Sequence, residues 1–249
     1  MPLLSLLFKY NSVSLAPMPD IQLFYKESIE SLRFRLDEQE SKHLIRVLRK
    51  SAGDEVFFTD GHGKLVRGTI LEDNPKRAIV EVVEEIQYKE KLGRLSVAIA
   101  PTKNLDRMEY FAEKATEIGI GAIFPVICDR SERKVLKNER IQKIVISAMK
   151  QSLKYFLPKV YEAMPFADLM SEDFPQKFIA HLDEDNPGPA FQDAILADQD
   201  ALLLVGPEGD FTPNELALAK ENGFVQVTLG SSRLRTETAG VVAATLWNL

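Results

Sequence analysis

Cysteine is almost absent from this chain. Cys128 stands alone among 249 residues, so no disulfide forms within the chain, and a reducing, cytoplasmic setting is expected. Histidine is nearly as scarce. His43, His62 and His181 are far from one another and from Cys128, which matches no metal-ligand spacing, so no metal is expected. No run of about 18 apolar residues occurs, which excludes a membrane-spanning helix. The apolar start Met1–Phe8 resembles a signal peptide mildly but lacks a basic segment before it and ends at Lys9, so a signal peptide is not expected. Residues 1–17 read as an extension outside the fold, with Met18 as the natural beginning. Also missing are Gly-x-Gly-x-x-Gly and Gly-x-x-x-x-Gly-Lys, and Ser231 and Ser232 lack a Gly-x-Ser-x-Gly elbow. Dinucleotide-fold, P-loop and serine-hydrolase chemistry therefore have no support.

Positive charge is in deficit overall, with a formal net charge of −6, but it is segregated. Bases run from Arg130 through Arg133, Arg140, Lys150 and Lys154 to Lys159, opposed only by Glu132 and Glu139. A second group lies at Arg33, Arg35, Lys42, Arg46, Arg49 and Lys50. Such segments are ordinarily solvated helix faces. Two together suggest a positive surface suited to nucleic acid.

The hydrophobic pattern divides the chain. Ile21–Tyr25, Leu32–Leu36, Glu55–Thr59, Leu65–Leu71 and Ala78–Val83 read as short strands, with a hairpin turn at Asp60-Gly-His-Gly63. Asp37 and Glu40 form a capping-box pattern for a short helix carrying Leu44, Ile45 and Leu48. One helix among short strands predicts a small β-barrel over 18–88, and charged Glu84–Arg94 reads as a linker. From Leu95 strands alternate with helices. Strands are expected at Leu95–Ala100, Ala122–Ile127, Lys177–His181, Ala201–Val205 and Val225–Leu229, giving an α/β domain over 89–249 with a mostly parallel sheet. Met108, Phe111, Ala112, Ala115 and Ile118 mark one helix face; Ile141, Ile144, Val145, Ala148 and Met149 mark another. Thr212-Pro-Asn-Glu215 is a helix start with Pro at its first position.

Two loops near the C-terminus concentrate the chemistry. Leu204-Val-Gly-Pro-Glu-Gly209 and Leu229-Gly-Ser-Ser-Arg-Leu-Arg-Thr-Glu-Thr238 each follow an apolar run and precede a helix. Backbone groups at Gly206, Gly209 and Gly230 can approach a small ligand where a side chain would block it. Leu204, Val205, Leu229 and Leu234 offer apolar walls, and Pro207, Glu208, Thr236 and Thr238 complete the expected ligand-binding set. Thr236 and Thr238 are equally candidates for capping the last helix, and His181 ends a strand that borders these loops.

Val205-Gly-Pro-Glu-Gly209 and Leu229-Gly-x-x-x-Leu-Arg-Thr-Glu-Thr-Ala239 resemble the two C-terminal signatures of the SPOUT RNA methyltransferases in their RsmE form. His43-Leu-Ile-Arg-Val-Leu-Arg49, Lys103-x-x-x-x-Met-Glu-Tyr-Phe-x-x-Lys-x-x-Glu-Ile-Gly119 and Ser131-Glu-Arg133 resemble three others. The resemblance covers nearly everything after residue 20. It implies an N-terminal PUA-like barrel, a C-terminal α/β domain knotted as a trefoil, and a homodimer. It further implies S-adenosylmethionine as methyl donor and N3 of a specific uridine in 16S small-subunit ribosomal RNA as acceptor. Two positions depart from the family. Lys150-Gln-Ser-Leu-Lys154 stands where Glu-Gln-Ser/Cys-x-Arg is usual, and Asp210 replaces a second glycine.

In that chemistry Arg235 is the expected catalytic residue, holding negative charge on a uracil carbonyl, and Glu237 is a candidate proton acceptor. Arg46, Arg49, Arg133 and Lys154 are the candidate phosphate contacts on RNA. Two rival readings are a silent RNA-binding module for ribosome assembly and an enzyme using a different small cofactor.

Overall fold

A computed structural model describes residues 21–90, 93–183, 187–196 and 198–249. The expected extension at 1–17 lies outside the described residues.

The N-terminal part is a curled five-stranded sheet in the order β1-β3-β4-β5-β2, formed by β1 (Leu23–Tyr25), β2 (Arg33–Arg35), β3 (Glu55–Thr59), β4 (Lys64–Glu72) and β5 (Ile79–Gln87). β3 and β4 make the hairpin around Asp60–Gly63, while β1 pairs parallel to β3. Phe24, Phe34, Phe58, Val66 and Val80 fill its interior beneath α1 (Glu38–Lys42). Asp37 caps that helix by accepting the Glu40 N–H, and the next turn, His43–Val47, widens to π geometry. β5 runs four residues into the segment read as linker. The reason is cross-strand pairing: Arg67 bonds Glu84 at 3.0 Å and Lys64 bonds Glu85 at 2.9 Å, so these charges belong to a ladder.

The C-terminal part is a seven-stranded parallel sheet in the order β12-β10-β11-β6-β7-β8, with β9 also on β7. Its strands are β6 (Leu95–Ile99), β7 (Ala122–Ile127), β8 (Lys159–Val160), β9 (Met164–Pro165), β10 (Gln176–Ala180), β11 (Ala201–Val205) and β12 (Val225–Val227). The helices are α2 (Leu105–Ile118), α3 (Asn138–Gln151), α4 (Phe166–Leu169), α5 (Phe191–Ala194), α6 (Pro213–Glu221) and α7 (Thr236–Trp247). Both faces of the sheet are covered, so the central strands are apolar on both sides. Leu203 and Val205 join Phe111, Val145 and Trp247 on one face; Leu202 and Leu204 join Phe124, Phe211 and Phe224 on the other.

α6 begins as its sequence dictates. The Thr212 hydroxyl accepts the Glu215 N–H at 3.3 Å, Glu215 Oε2 accepts the Thr212 N–H at 2.7 Å, and Pro213 occupies the first helical position. β8, β9, α4 and α5 are too short for any periodicity to mark them.

Candidate functional site

Parallel strands of a doubly covered sheet leave loops at their carboxyl ends, where ligands gather. Here β10, β11 and β12 end together around a cavity of about 550 Å³. The loop after β11 supplies Gly206, Pro207, Glu208 and Asp210; the loop after β12 supplies Thr228, Leu229, Gly230, Ser232, Arg233, Leu234 and Arg235; β10 supplies Ala180 and leads into His181 and Leu182.

The two loops are tied to each other. The Thr236 hydroxyl donates to Gly206 O at 2.9 Å, so this threonine joins the loops and caps no helix. The β11 loop is also held from outside. Arg130 Nη1 donates to Gly209 O and Phe211 O, both at 3.1 Å, and the Lys103 N–H donates to Glu208 Oε1 at 3.2 Å.

The glycines serve the loops more directly than they serve ligand access. A Cβ on Gly206 would lie 2.9 Å from Phe211 Cε2, and one on Gly209 would lie 3.1 Å from Arg130 Cβ. Gly230 meets nothing but has φ +131°, which a side chain tolerates poorly. Asp210 also has a positive φ, +61°. That conformation explains why glycine suits the position, and why a short acceptor side chain that bonds locally can replace it. Asp210 Oδ1 accepts the Phe211 N–H at 2.8 Å.

Arg235 is the N-cap residue of α7, is exposed, and makes no capping bond. Among the described residues its side chain has no hydrogen bond or ion pair. A cation at a helix N-terminus opposes the macrodipole, a placement that costs about 0.3–1 kcal/mol. Arg233, Arg235 and the free N–H groups of the first turn of α7 therefore sum to a positive field over the cavity mouth. Such a field stabilises an anion formed there.

Of the residues expected to bind a ligand, Val205, Gly206, Pro207, Glu208, Leu229, Gly230, Leu234 and Thr236 line the cavity with Arg235, whereas Leu204, Gly209 and Thr238 do not. Leu204 alternates to the opposite sheet face and packs in the core with Phe211. Glu237, the expected proton acceptor, also stands outside the lining. It is buried in the first turn of α7 with Oε1 3.8 Å from Arg107 Nε on α2, and its Oε2 has no hydrogen-bond partner among the described residues. His181 and Asp210 are cavity residues that the sequence placed only near the site.

The basic run is largely consumed internally. Arg133 donates to Thr102 O at 3.1 Å and Lys103 O at 2.7 Å, Arg140 pairs with Glu109, and Lys150 pairs with Glu40 of α1 at 3.0 Å. Lys154 is half-buried beside Gly119, and desolvation pulls its ammonium below the usual lysine range. Lys134, Lys137 and Lys143 of the same run stay exposed. Arg46 and Arg49 are exposed on the N-terminal part. Burial pushes the Cys128 thiol up to about 12, which removes it as a nucleophile. No cluster of metal-ligating side chains and no helix long and apolar enough to cross a membrane occurs among the described residues.

Residues 89–248 match the RNA methyltransferase domain family, and residues 36–83 match the RNA methyltransferase PUA domain family. The ribosomal RNA small subunit methyltransferase E of Aquifex aeolicus is 32% identical over 225 residues, covering 89% of this chain and 96% of that protein. A probable rRNA-methyltransferase of Porphyromonas gingivalis superposes with TM-score 0.83 at 40% identity, over 90% of this chain and 95% of its own. The ribosomal RNA small subunit methyltransferase E of Neisseria gonorrhoeae, in a crystal structure bound to S-adenosyl methionine, superposes with TM-score 0.80 at 29% identity, over 90% and 95%.

Proposed function

The chain belongs to the RNA methyltransferase family that includes ribosomal RNA small subunit methyltransferase E, and from that premise we propose that it methylates N3 of a specific uridine in 16S small-subunit ribosomal RNA, with S-adenosylmethionine as donor. The observation that carries the proposal is the cavity at the ends of β10, β11 and β12, bordered by an arginine without a partner among the described residues.

The cavity suits that donor. Its volume of about 550 Å³ lies in the range that encloses a ligand of this size. Val205, Leu229 and Leu234 give apolar walls for an adenosyl group, and the surrounding loops present backbone groups for its polar edge. When bound there, the donor supplies an electrophilic methyl carbon. The residues Gly206, Pro207, Glu208, Leu229, Gly230 and Thr236 hold it through loop backbone and the Thr236–Gly206 link. Leu204, Gly209 and Thr238 act from behind, by shaping the strand, the loop and the helix.

Uracil N3 carries a hydrogen and is a poor nucleophile until that hydrogen is lost. Arg235, with Arg233 and the α7 N-terminus, stabilises the negative charge that then spreads over the uracil carbonyls. Preorganised donors of this kind are worth roughly 10²–10³ in rate. Glu237, buried against Arg107, braces the α7 N-terminus on α2. The N-terminal sheet with Arg46 and Arg49 engages RNA phosphates, whereas Arg133 and Lys154 support the fold. The enzyme works as a cytoplasmic homodimer whose α/β domain is knotted, as the family resemblance implies.

Mass spectrometry of small-subunit ribosomal RNA from a strain lacking the protein tests the proposal. One methyluridine should disappear and return on complementation. An unchanged modification profile, together with no calorimetric binding of S-adenosylmethionine, would overturn it.

A further inference from the structure

The cavity contains a side-chain pair that the arginine-centred reading does not use. The His181 backbone N–H donates to Val227 O of β12 at 3.3 Å, which anchors the residue beside β12. Its Nδ1 lies 3.2 Å from Asp210 Oδ1, and the same oxygen accepts the Phe211 N–H. Asp210 is itself fixed in the β11 loop, where its N–H donates to Pro207 O at 2.9 Å. A carboxylate only accepts, so the hydrogen between the two side chains sits on Nδ1, and the neutral imidazole has its lone pair on Nε2, which has no partner among the described residues. Both residues line the cavity, and the His181 side chain is only 15% exposed.

Among the described residues, the other charged groups bordering the cavity are Glu208, Arg233 and Arg235. The arginines cannot accept a proton, and Glu208 Oε1 is already bonded to the Lys103 N–H. Glu237 is buried outside the lining, against Arg107. Imidazole is also the better base for a weakly acidic ring N–H, with an ordinary pKa of about 6.5 against about 4 for a carboxylate.

We propose that His181 is the proton acceptor in methyl transfer and Asp210 its positioning residue, an inference that rests on the uridine N3 reading above. The uracil N3 hydrogen passes to His181 Nε2 as the N3 electron pair forms a bond to the donor methyl carbon. The carbon–sulfur bond breaks with its pair remaining on sulfur, which becomes a neutral thioether. His181 is left as an imidazolium facing the Asp210 carboxylate, and it returns its proton to solvent.

H181A should lower the single-turnover rate at saturating S-adenosylmethionine and ribosomal subunit by roughly 10²–10⁴. Its calorimetric affinity for the donor should stay within about threefold of wild type, a change of under about 0.7 kcal/mol. Added imidazole should restore rate, and more basic substituted imidazoles should restore more. Nitrogen-15 NMR of the ligand-free protein, with the resonance identified by its loss in H181Q, should show His181 protonated at Nδ1, and D210N should mix the tautomers. Three results would each overturn the proposal: a wild-type saturating rate in H181A, a loss confined to donor affinity, or a wild-type imidazole protonated at Nε2. If wild-type protein transfers no methyl group to uridine, the functional reading fails instead, and the NMR result is unaffected by it.

Discussion

Thr236 and Gly206 are 30 residues apart, yet the Thr236 hydroxyl donates to the Gly206 carbonyl oxygen at 2.9 Å. This bond fixes the first turn of α7 against the end of β11, so the loop that carries Arg233 and Arg235 closes over the loop that carries Glu208 and Asp210. T236V removes the donor, keeps the volume and leaves a carbonyl unsatisfied. A lost bond of this kind is worth about 0.5–1.5 kcal/mol, so the Kd for S-adenosylmethionine should rise about two- to tenfold. Titration calorimetry reads this directly. An unchanged Kd would mean that the α2–α7 contact alone sets the loop spacing.

R235A should separate binding from chemistry. The guanidinium is exposed and has no partner among the described residues, so its loss costs no packing, and removal of a cation from a helix N-terminus slightly favours the fold. The expected result is a saturating rate lower by about 10²–10³, with thermal midpoint and donor affinity near wild type. R235K should recover only part of the rate, because an ammonium cannot present the planar fork of a guanidinium. Rates of R235A close to wild type would remove Arg235 from the mechanism.

What the sequence made legible was local, and what it concealed was not. The capping box at Thr212 and Glu215, the hairpin turn at Asp60–Gly63 and the apolar faces of α2 and α3 all follow from spacing within a dozen residues. Strand order does not. That β10 lies between β11 and β12, bringing His181 to Asp210, depends on pairings between segments tens of residues apart. β11 is apolar throughout, so its sequence carries no mark of which face meets the cavity, and Leu204 reads like Val205 although it packs on the opposite face. The basic run misled for the same reason: Arg130, Arg133 and Lys150 look free in sequence and find carbonyls or Glu40 only in three dimensions.

Cys128 gives the fold an alkaline limit. Its thiol rises from the ordinary 9.0 to about 12 because burial, then Glu215, disfavours the thiolate. The unfolded chain ionises at the lower value. The stabilisation is therefore complete below pH 9 and is lost as pH rises towards 12. C128A should flatten the fall in denaturation midpoint between pH 9 and 11 relative to wild type. The native thiol should also react with a disulfide reagent at pH 8 only after denaturant is added.

RNA docking requires the N-terminal sheet to be held in a fixed pose against the cavity domain, and one tight turn, beside the Lys150–Glu40 pair, contributes most of the bonds that do this. The Gly63 N–H donates to Tyr155 O at 2.8 Å, the Leu157 N–H donates to Gly61 O at 2.8 Å, and the Tyr88 and Tyr155 rings stack with centroids 4.7 Å apart. Gly63 has φ +90°, and a Cβ there would lie 2.5 Å from Phe156 Cζ and 2.7 Å from Tyr88 O. G63V therefore cannot keep this junction. The two hydrophobic interiors are separate, one around Phe58 and the other around the seven-stranded sheet, so each part should stay folded. Donor binding should persist, because the cavity lies wholly within the C-terminal part. The KM for the ribosomal subunit should rise by about tenfold or more, since a mobile RNA-binding part forfeits the orientation that a rigid one supplies. Proteolysis between residues 83 and 94 should accelerate in parallel. If G63V cleaves faster yet retains the wild-type KM, the N-terminal sheet holds RNA without needing a fixed pose, and substrate orientation belongs to the cavity rim alone.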